Sequence, residues 1–256
     1  MSGVTALVLA GQRRGTDPMA AAAGVSHKAL LPVAGRPMLL RVLAALRAAP
    51  GVGRVVVSIE EPGRVLAGLE TALDGVVLRP SATSPARSAA AVLEEFGAPL
   101  LVTTADHALL TPDMVEHLLR TAPPGASAVA ALARRETILA EFPDTRRTWL
   151  RFRDGSFSGC NLFLLARPEA SQVLAFWQRL EAQRKRPLTM ARMLGIRPLI
   201  RYALGRLTLR QGLDALGARC RTPVAVTEMP FGAAAVDVDK PDDLALVEAR
   251  LRAEAA

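Results

Sequence analysis

Residues Leu7–Leu39 read LVLAGQRRGTDPMAAAAGVSHKALLPVAGRPML. An apolar run ends in Ala10-Gly11, and two arginines and a glycine follow. Small residues come next, and then a single lysine, Lys28, before ALLPVAGRPML. Gly11 lets the chain turn and lets backbone N–H groups approach a ligand. Gly15 and the alanines add little bulk, while Arg13 and Arg14 add positive charge. Such a loop suits a polyphosphate. It is not a Walker A sequence, because GxxxxGK[ST] is absent from it, and Gly11 and Gly15 do not fit GxGxxG. Further on, LLVTTADHALLTPDM places Asp106 just after a second apolar run, with His107 beside it.

The elements that must position these residues alternate between short apolar runs and helical patterns. Val4–Ala10, Arg54–Ile59, Val76–Leu78, Pro99–Thr104 and Ser127–Ala133 read as strands. Met38–Ala48, Gly63–Leu73, Ser84–Phe96 and Thr111–Thr121 read as helices, with Thr111 as N-cap and Pro112 at the first position of the last. This rhythm predicts an α/β, Rossmann-like, mostly parallel sheet with helices on both faces. Ligands then sit beyond the carboxyl ends of the strands, where the loop after the first strand and Asp106 both fall. After residue 140 the rhythm changes. TWLRFRDGSFSGCNLFLLA alternates and carries Asp154-Gly155, a hairpin signal. A helix over Glu169–Gln183, strands near Pro223–Thr227 and Ala234–Val238, and a final helix from Asp242 complete the pattern. No repeat or low-complexity linker divides the 256 residues, so one domain over 1–256 is expected.

Charge and cysteines narrow the setting. The net charge is +8, but residues 184–219 hold nine Lys/Arg and one Asp, so the remainder is neutral. Cys160 and Cys220 make no paired metal-ligand spacing and suggest no disulfide framework. The absence of a signal-like start and of a long apolar run leads us to expect a cytoplasmic protein.

The pattern LAGQRRGTDP…HKALLPVAGRPML resembles the nucleotidyltransferases that act on sugar phosphates and cofactors. Relatives include the molybdenum cofactor guanylyltransferase and the methylerythritol phosphate and inositol-1-phosphate cytidylyltransferases. Their signature has proline before the lysine, where this chain has His27, and a shorter intervening loop. The resemblance implies a sheet of the nucleotide-diphospho-sugar transferase type. It also implies Lys28 and Arg14 as catalytic cations, and Leu9, Ala10, Gly11, Arg13 and Gly15 as the triphosphate loop. Ser81, Thr83 and Ser88, in RPSATSPARS, fall where relatives read the base, although serines before a helix also serve as caps.

The same resemblance implies a metal. Asp106 takes the position of the family's metal-binding aspartate. AVDVDKPDDLALVEARL resembles the segment before the last helix in relatives, with Asp239 as second ligand and Asp237 as the alternate. Alternation along a short strand puts both on one side. Asp242 and Asp243 suit capping of the following helix. Two carboxylates with phosphate oxygens and water fit Mg²⁺. GSFSGCNLFLLA resembles the acceptor-lining segment, with Gly159 and Asn161 as contacts.

The expected activity is Mg²⁺-dependent transfer of a nucleotidyl group from an NTP to a phosphorylated sugar, polyol, inositol or cofactor, with release of pyrophosphate. The Asp106-His107 pair resembles the Asp-His of the inositol-1-phosphate cytidylyltransferases, and that resemblance favours CTP over GTP. The alternatives are a nucleotide-sugar-dependent glycosyltransferase and a noncatalytic module on a membrane surface. Residues 184–219 mix leucine and isoleucine with spaced arginines and read as a helical basic insertion, with breaks at Pro198 and Gly205. Such a segment can cover the acceptor side, or rest on anionic membrane and leave the protein peripheral at its inner face. With aromatics at 4% and no RNA-binding motif, no nucleic-acid partner is expected.

Overall fold

The computed structural model describes residues 3–12, 15, 17–183, 189, 193 and 195–255. Arg13 and Arg14 lie outside the described residues, as does much of 184–194. The first strand, Val4–Leu9 (β1), is followed by a short helix, Pro18–Ala22 (α1), and a 3₁₀ turn at Lys28–Leu30. A small antiparallel ribbon, Pro32–Val33 (β2) with Arg36–Pro37 (β3), leads into Met38–Ala48 (α2). Then come Val52–Ile59 (β4), Pro62–Val65 (α3), Val76–Pro80 (β5), Pro85–Phe96 (α4), Leu100–Thr104 (β6), Pro112–Thr121 (α5) and Ala128–Arg134 (β7). The second half has Arg135–Glu141 (α6), Leu150–Phe152 (β8), Gly155–Leu165 (β9), Ala170–Ala182 (α7), Ile196–Ala203 (α8), Leu209–Cys220 (α9), Val224–Met229 (β10) and Pro241–Ala255 (α10).

The main sheet runs β10-β7-β9-β6-β1-β4-β5, with β8 paired to β9. All strand pairs of this sheet are parallel except the three that β9 makes, with β6, β7 and β8. A hairpin through Asp154-Gly155 reverses the chain, so β9 runs against its neighbours and leaves them pointing one way. Both faces are covered. Ala6 and Val8 of β1 pack into one core while Leu7 packs into the other, and Val55 and Val57 divide from Val56 in the same way. This is the period of two expected of a central strand buried on both sides. Helix α2 turns Met38, Leu39, Val42, Leu43 and Leu46 into the first core. Truncating Leu43 to alanine there would cost about 2–5 kcal/mol.

Three expectations are corrected. Residues 234–238 form no strand: Gly232–Ala235 is a 3₁₀ turn, and the chain then runs extended without a sheet partner. The alternation argument for Asp237 and Asp239 therefore lapses. Gly63–Leu73 is not one helix but a short turn, α3, and a 3₁₀ turn at Glu70–Leu73, interrupted by Gly68 at a φ of +86°. Pro198 does not break the basic segment, because it stands in the first turn of α8, where no intrahelical acceptor awaits its nitrogen. The helix ends before Gly205, which has positive φ.

Candidate active site

Strands β1 and β6 are parallel neighbours, with Leu9 opposite Thr104. The Ala105 amide donates to the Leu9 carbonyl at 3.0 Å, so both chains leave the sheet together. Asp106 therefore stands beside the loop that begins at Ala10-Gly11. Gln12 closes that loop on itself. Its side-chain oxygen accepts the Lys28 amide at 3.2 Å and its side-chain nitrogen donates to the Gly15 carbonyl at 2.9 Å. Asp17 caps α1 by accepting the Met19 and Ala20 amides, which gives the loop a folded middle.

Lys28 Nζ donates to Asp106 Oδ2 at 2.9 Å and to Asp239 Oδ1 at 2.6 Å. These partners are 78 and 211 residues away in sequence. The other Asp106 oxygen accepts the Thr104 hydroxyl at 2.6 Å. The Lys28 side chain is about one-fifth exposed, whereas that of Asp239 is 64% exposed, so the group opens to solvent on the Asp239 side.

Asp239 is held by Asp243 and, through it, by Arg147, a residue the sequence does not single out. Asp243 Oδ2 accepts the amides of Asp239 and Lys240 at 3.1 and 3.2 Å. The second oxygen of Asp243 accepts from Arg147, whose side chain is 6% exposed. Arg147 also binds Asp237, and Asn161 donates to the remaining Asp237 oxygen at 3.0 Å. Asp237 and Asp239 thus take different partners: one faces Arg147 and Asn161, the other Lys28. Asp243, expected to cap the last helix, lies within its first turn, accepts the amides of two residues that precede it, and is half of a buried ion pair. In PDTRRTW nothing distinguishes Arg147 from Arg146, so no sequence signal marks it.

Electrostatics follow from this crowding. Burial alone would lower the Lys28 pKa, but Asp106 and Asp239 together outweigh it and raise it above 10.5. Burial likewise works against ionised Asp239, yet its bond to Lys28 holds its pKa below the usual range. Burial, then the nearby charges of Asp239 and Asp106, raise the pKa of Asp237 in spite of Arg147. Asp106, Asp237, Asp239 and Asp243 outnumber Lys28 and Arg147, which leaves the cluster acidic. Oxygen donors with excess negative charge, two of them sharing one ammonium, are the donor chemistry a hard divalent cation takes. No group of three or more His, Cys, Asp or Glu arranged to hold a metal occurs among the described residues.

Across the Gly11 loop, Glu60 stands where β4 ends, as Asp106 does after β6. It accepts the Gln12 amide at 3.0 Å and the Ser81 hydroxyl at 2.8 Å, and His27 Nε2 lies 3.6 Å away. The strand-then-carboxylate signal that marked Asp106 could have found it. A Cβ on Gly11 would come within 3.1 Å of both Glu60 Oε1 and Ser81, so a larger residue there would have to push these two side chains aside. The Ala10 amide is held by the Ser58 carbonyl at 2.9 Å. Gly15 has a φ of +105°, a conformation glycine adopts without strain. Thr83 is exposed. Ser88 is buried and its hydroxyl accepts the Ala82 amide at 2.9 Å, so it shapes the loop from beneath.

Gly159, on β9, is exposed and a Cβ added to it meets nothing within 4 Å. Asn161 sits at a φ of +44°, beside an irregularity in the β7–β9 register, and this turns its amide toward Asp237. His107 is 1% exposed, with Nδ1 3.4 Å from the Thr103 hydroxyl. Burial pushes its pKa down to about 4, against a smaller upward pull from Asp106, so it is a neutral core residue. Cys160 is buried, and burial pushes its thiol up to about 12. A cavity of 490 Å³ is lined by residues that include Arg41, Asp113 and Arg250, but not by Lys28. The Lys28 group lies outside it and opens to solvent at Asp239.

Residues 6–223 match the family model of the MobA-like NTP transferase domain. A hypothetical transferase from Thermus thermophilus is 35% identical, with a TM-score of 0.82 over 94% of this chain and 99% of that one. CMP:2-keto-3-deoxy-manno-octonic acid synthetase, solved with CTP, is 16% identical, with a TM-score of 0.60 over 98% and 99%. A Mycobacterium tuberculosis protein solved with manganese is 18% identical, with a TM-score of 0.52 over 96% and 98%. These last two likenesses establish the fold. The chain matches no curated protein sequence.

Proposed function

The chain belongs to the MobA-like NTP transferase family and is an enzyme of nucleotidyltransferase type; on that footing we propose that it joins the NMP of CTP to a phosphorylated small molecule, releases pyrophosphate, and uses Mg²⁺ at Asp106 and Asp239. The observation that carries this reading is the meeting of Lys28 with both carboxylates at the mouth of the Gly11 loop. In the reaction an oxygen of the acceptor phosphate bonds to the α-phosphorus of the NTP. The bond from that phosphorus to the bridging oxygen of the β-phosphate breaks, and pyrophosphate takes the electron pair. Little covalent work falls to the protein, whose task is to align the groups and offset charge.

Lys28 suits that task because its raised pKa keeps it cationic at neutral pH. Asp106 and Asp239 would hold Mg²⁺, which when bound supplies positive charge to the triphosphate. Arg147 and Asp243 keep the Asp239 backbone in place, and Asn161 orients Asp237. The Gly11–Gly15 loop is the seat for the triphosphate, Arg13 and Arg14 are its further cations, and Gly159 leaves room for the acceptor. The manganese in the Mycobacterium tuberculosis relative and the CTP in the synthetase are compatible with these assignments. GTP is a second reading, kept open by the resemblance to the molybdenum cofactor guanylyltransferase.

The test is pyrophosphate release by the purified protein with Mg²⁺, each of the four NTPs, and a panel of sugar, polyol, inositol and cofactor phosphates. Turnover with one NTP–acceptor pair, lost by at least about a hundredfold in Lys28→Ala, is expected. Undiminished turnover in that variant would refute the role of Lys28. Absence of turnover with every pair would refute the reaction.

A further inference from the structure

We propose that helix α8 is a docking face for an anionic lipid surface, so that the protein works at the membrane rather than only in bulk solution. Four large apolar residues are exposed among the described residues, and three belong to this helix or its cap: Ile196 at 60%, Ile200 at 54% and Leu204 at 60%. Their spacing of four residues stacks them on one side of the helix. No residue of α8 is buried. A soluble surface tolerates single exposed aliphatics, but three in a row on one short helix mark a contact surface.

The helix is fastened so that this side faces away from the body. Tyr202 takes the anchoring position: its hydroxyl accepts the Arg151 amide at 3.0 Å, and its ring meets Phe152 with centroids 5.6 Å apart. Leu207, just beyond the helix, is buried, and the Arg153 amide donates to its carbonyl at 2.8 Å. The isoleucines cannot turn inward without breaking these contacts.

Charge identifies the occupant. Arg197 and Arg201 are exposed beside the apolar row, and no acidic residue occurs between Glu181 and Asp214. The chain's whole excess of +8 lies in residues 184–219. Branched aliphatics flanked by arginines suit a layer of acyl chains under anionic headgroups. A second copy of the chain is a poor occupant, because pairing this face with itself would press two strongly positive segments together. No helix among the described residues is long and apolar enough to cross a membrane, so the contact would be peripheral.

Co-sedimentation of the full chain tests this, using vesicles of phosphatidylcholine alone and of phosphatidylcholine with phosphatidylglycerol, at low and high salt. Binding is expected to the anionic vesicles only, and to weaken about tenfold or more as salt rises. The triple variant Ile196→Ser, Ile200→Ser, Leu204→Ser should lose about tenfold or more of that binding with its melting curve unchanged, since none of the three is buried. Arg197→Gln should lose about fivefold. Three results would each overturn the proposal: no preference for anionic vesicles, undiminished binding by the triple variant, or a dimer in light scattering that the triple variant abolishes.

Discussion

The Val238 amide donates to the Asp106 carbonyl at 3.1 Å. This single backbone bond sews the segment before the last helix to the loop after β6. The two carboxylates that share Lys28 are thus neighbours through their main chains, before their side chains are considered. The Gly11 loop completes the site by bringing Lys28 to both.

Arg147→Ala should destabilise the fold by about 3–5 kcal/mol in urea melts, because it strands the buried Asp243 carboxylate and removes one partner of Asp237. Arg147→Lys should recover only part of this, since an ammonium cannot serve both aspartates with the planar fork of a guanidinium. Asp243→Asn should cost less in the Arg147→Ala background than alone. Additive losses would show that the pair does not act as a unit.

Lys28→Ala should bind Mn²⁺ at least as tightly as the native chain, measured by calorimetry, while its turnover falls. The ammonium and a cation compete for the same two oxygens, on Asp106 and Asp239. Weaker metal binding in this variant would argue that the cation sits elsewhere.

The buried Cys160 thiol, raised to about 12, should resist iodoacetamide at pH 9 in the folded chain and react once the chain is unfolded in urea. The linkage has a definite sign. As pH rises past 9 the unfolded chain loses this proton first, so stability is intact below 9 and declines toward 12. The Cys160→Ala variant should lack that part of the alkaline decline. Rapid alkylation of native protein at Cys160 would contradict the burial.

Much of this was legible in the sequence for a physical reason. Strands buried on both faces, such as Val4–Leu9 and Leu100–Thr104, appear as unbroken apolar runs, and the residue following such a run lies at the ligand edge. Lys28 was marked by the family resemblance alone, but that reasoning singled out Asp106, and applied to Arg54–Ile59 it would have singled out Glu60. It failed at Ala234–Val238, where an alternating pattern has no neighbouring strand to pair with and forms a turn instead. It also failed for Arg147, whose role depends on a long loop reaching two aspartates about ninety residues away. Spacing left Asp237 and Asp239 interchangeable; only the folded chain separates them, by giving them different partners.

The most direct test of the account is the rate of pyrophosphate release in Asp106→Asn, Asp239→Asn and the double variant, measured with the best NTP–acceptor pair and saturating Mg²⁺. Groups that hold one ion fail together, so each single change should cost about a hundredfold or more, and the double change little beyond that. Native-like turnover in either single variant, with its fold intact, would contradict a shared site at Lys28.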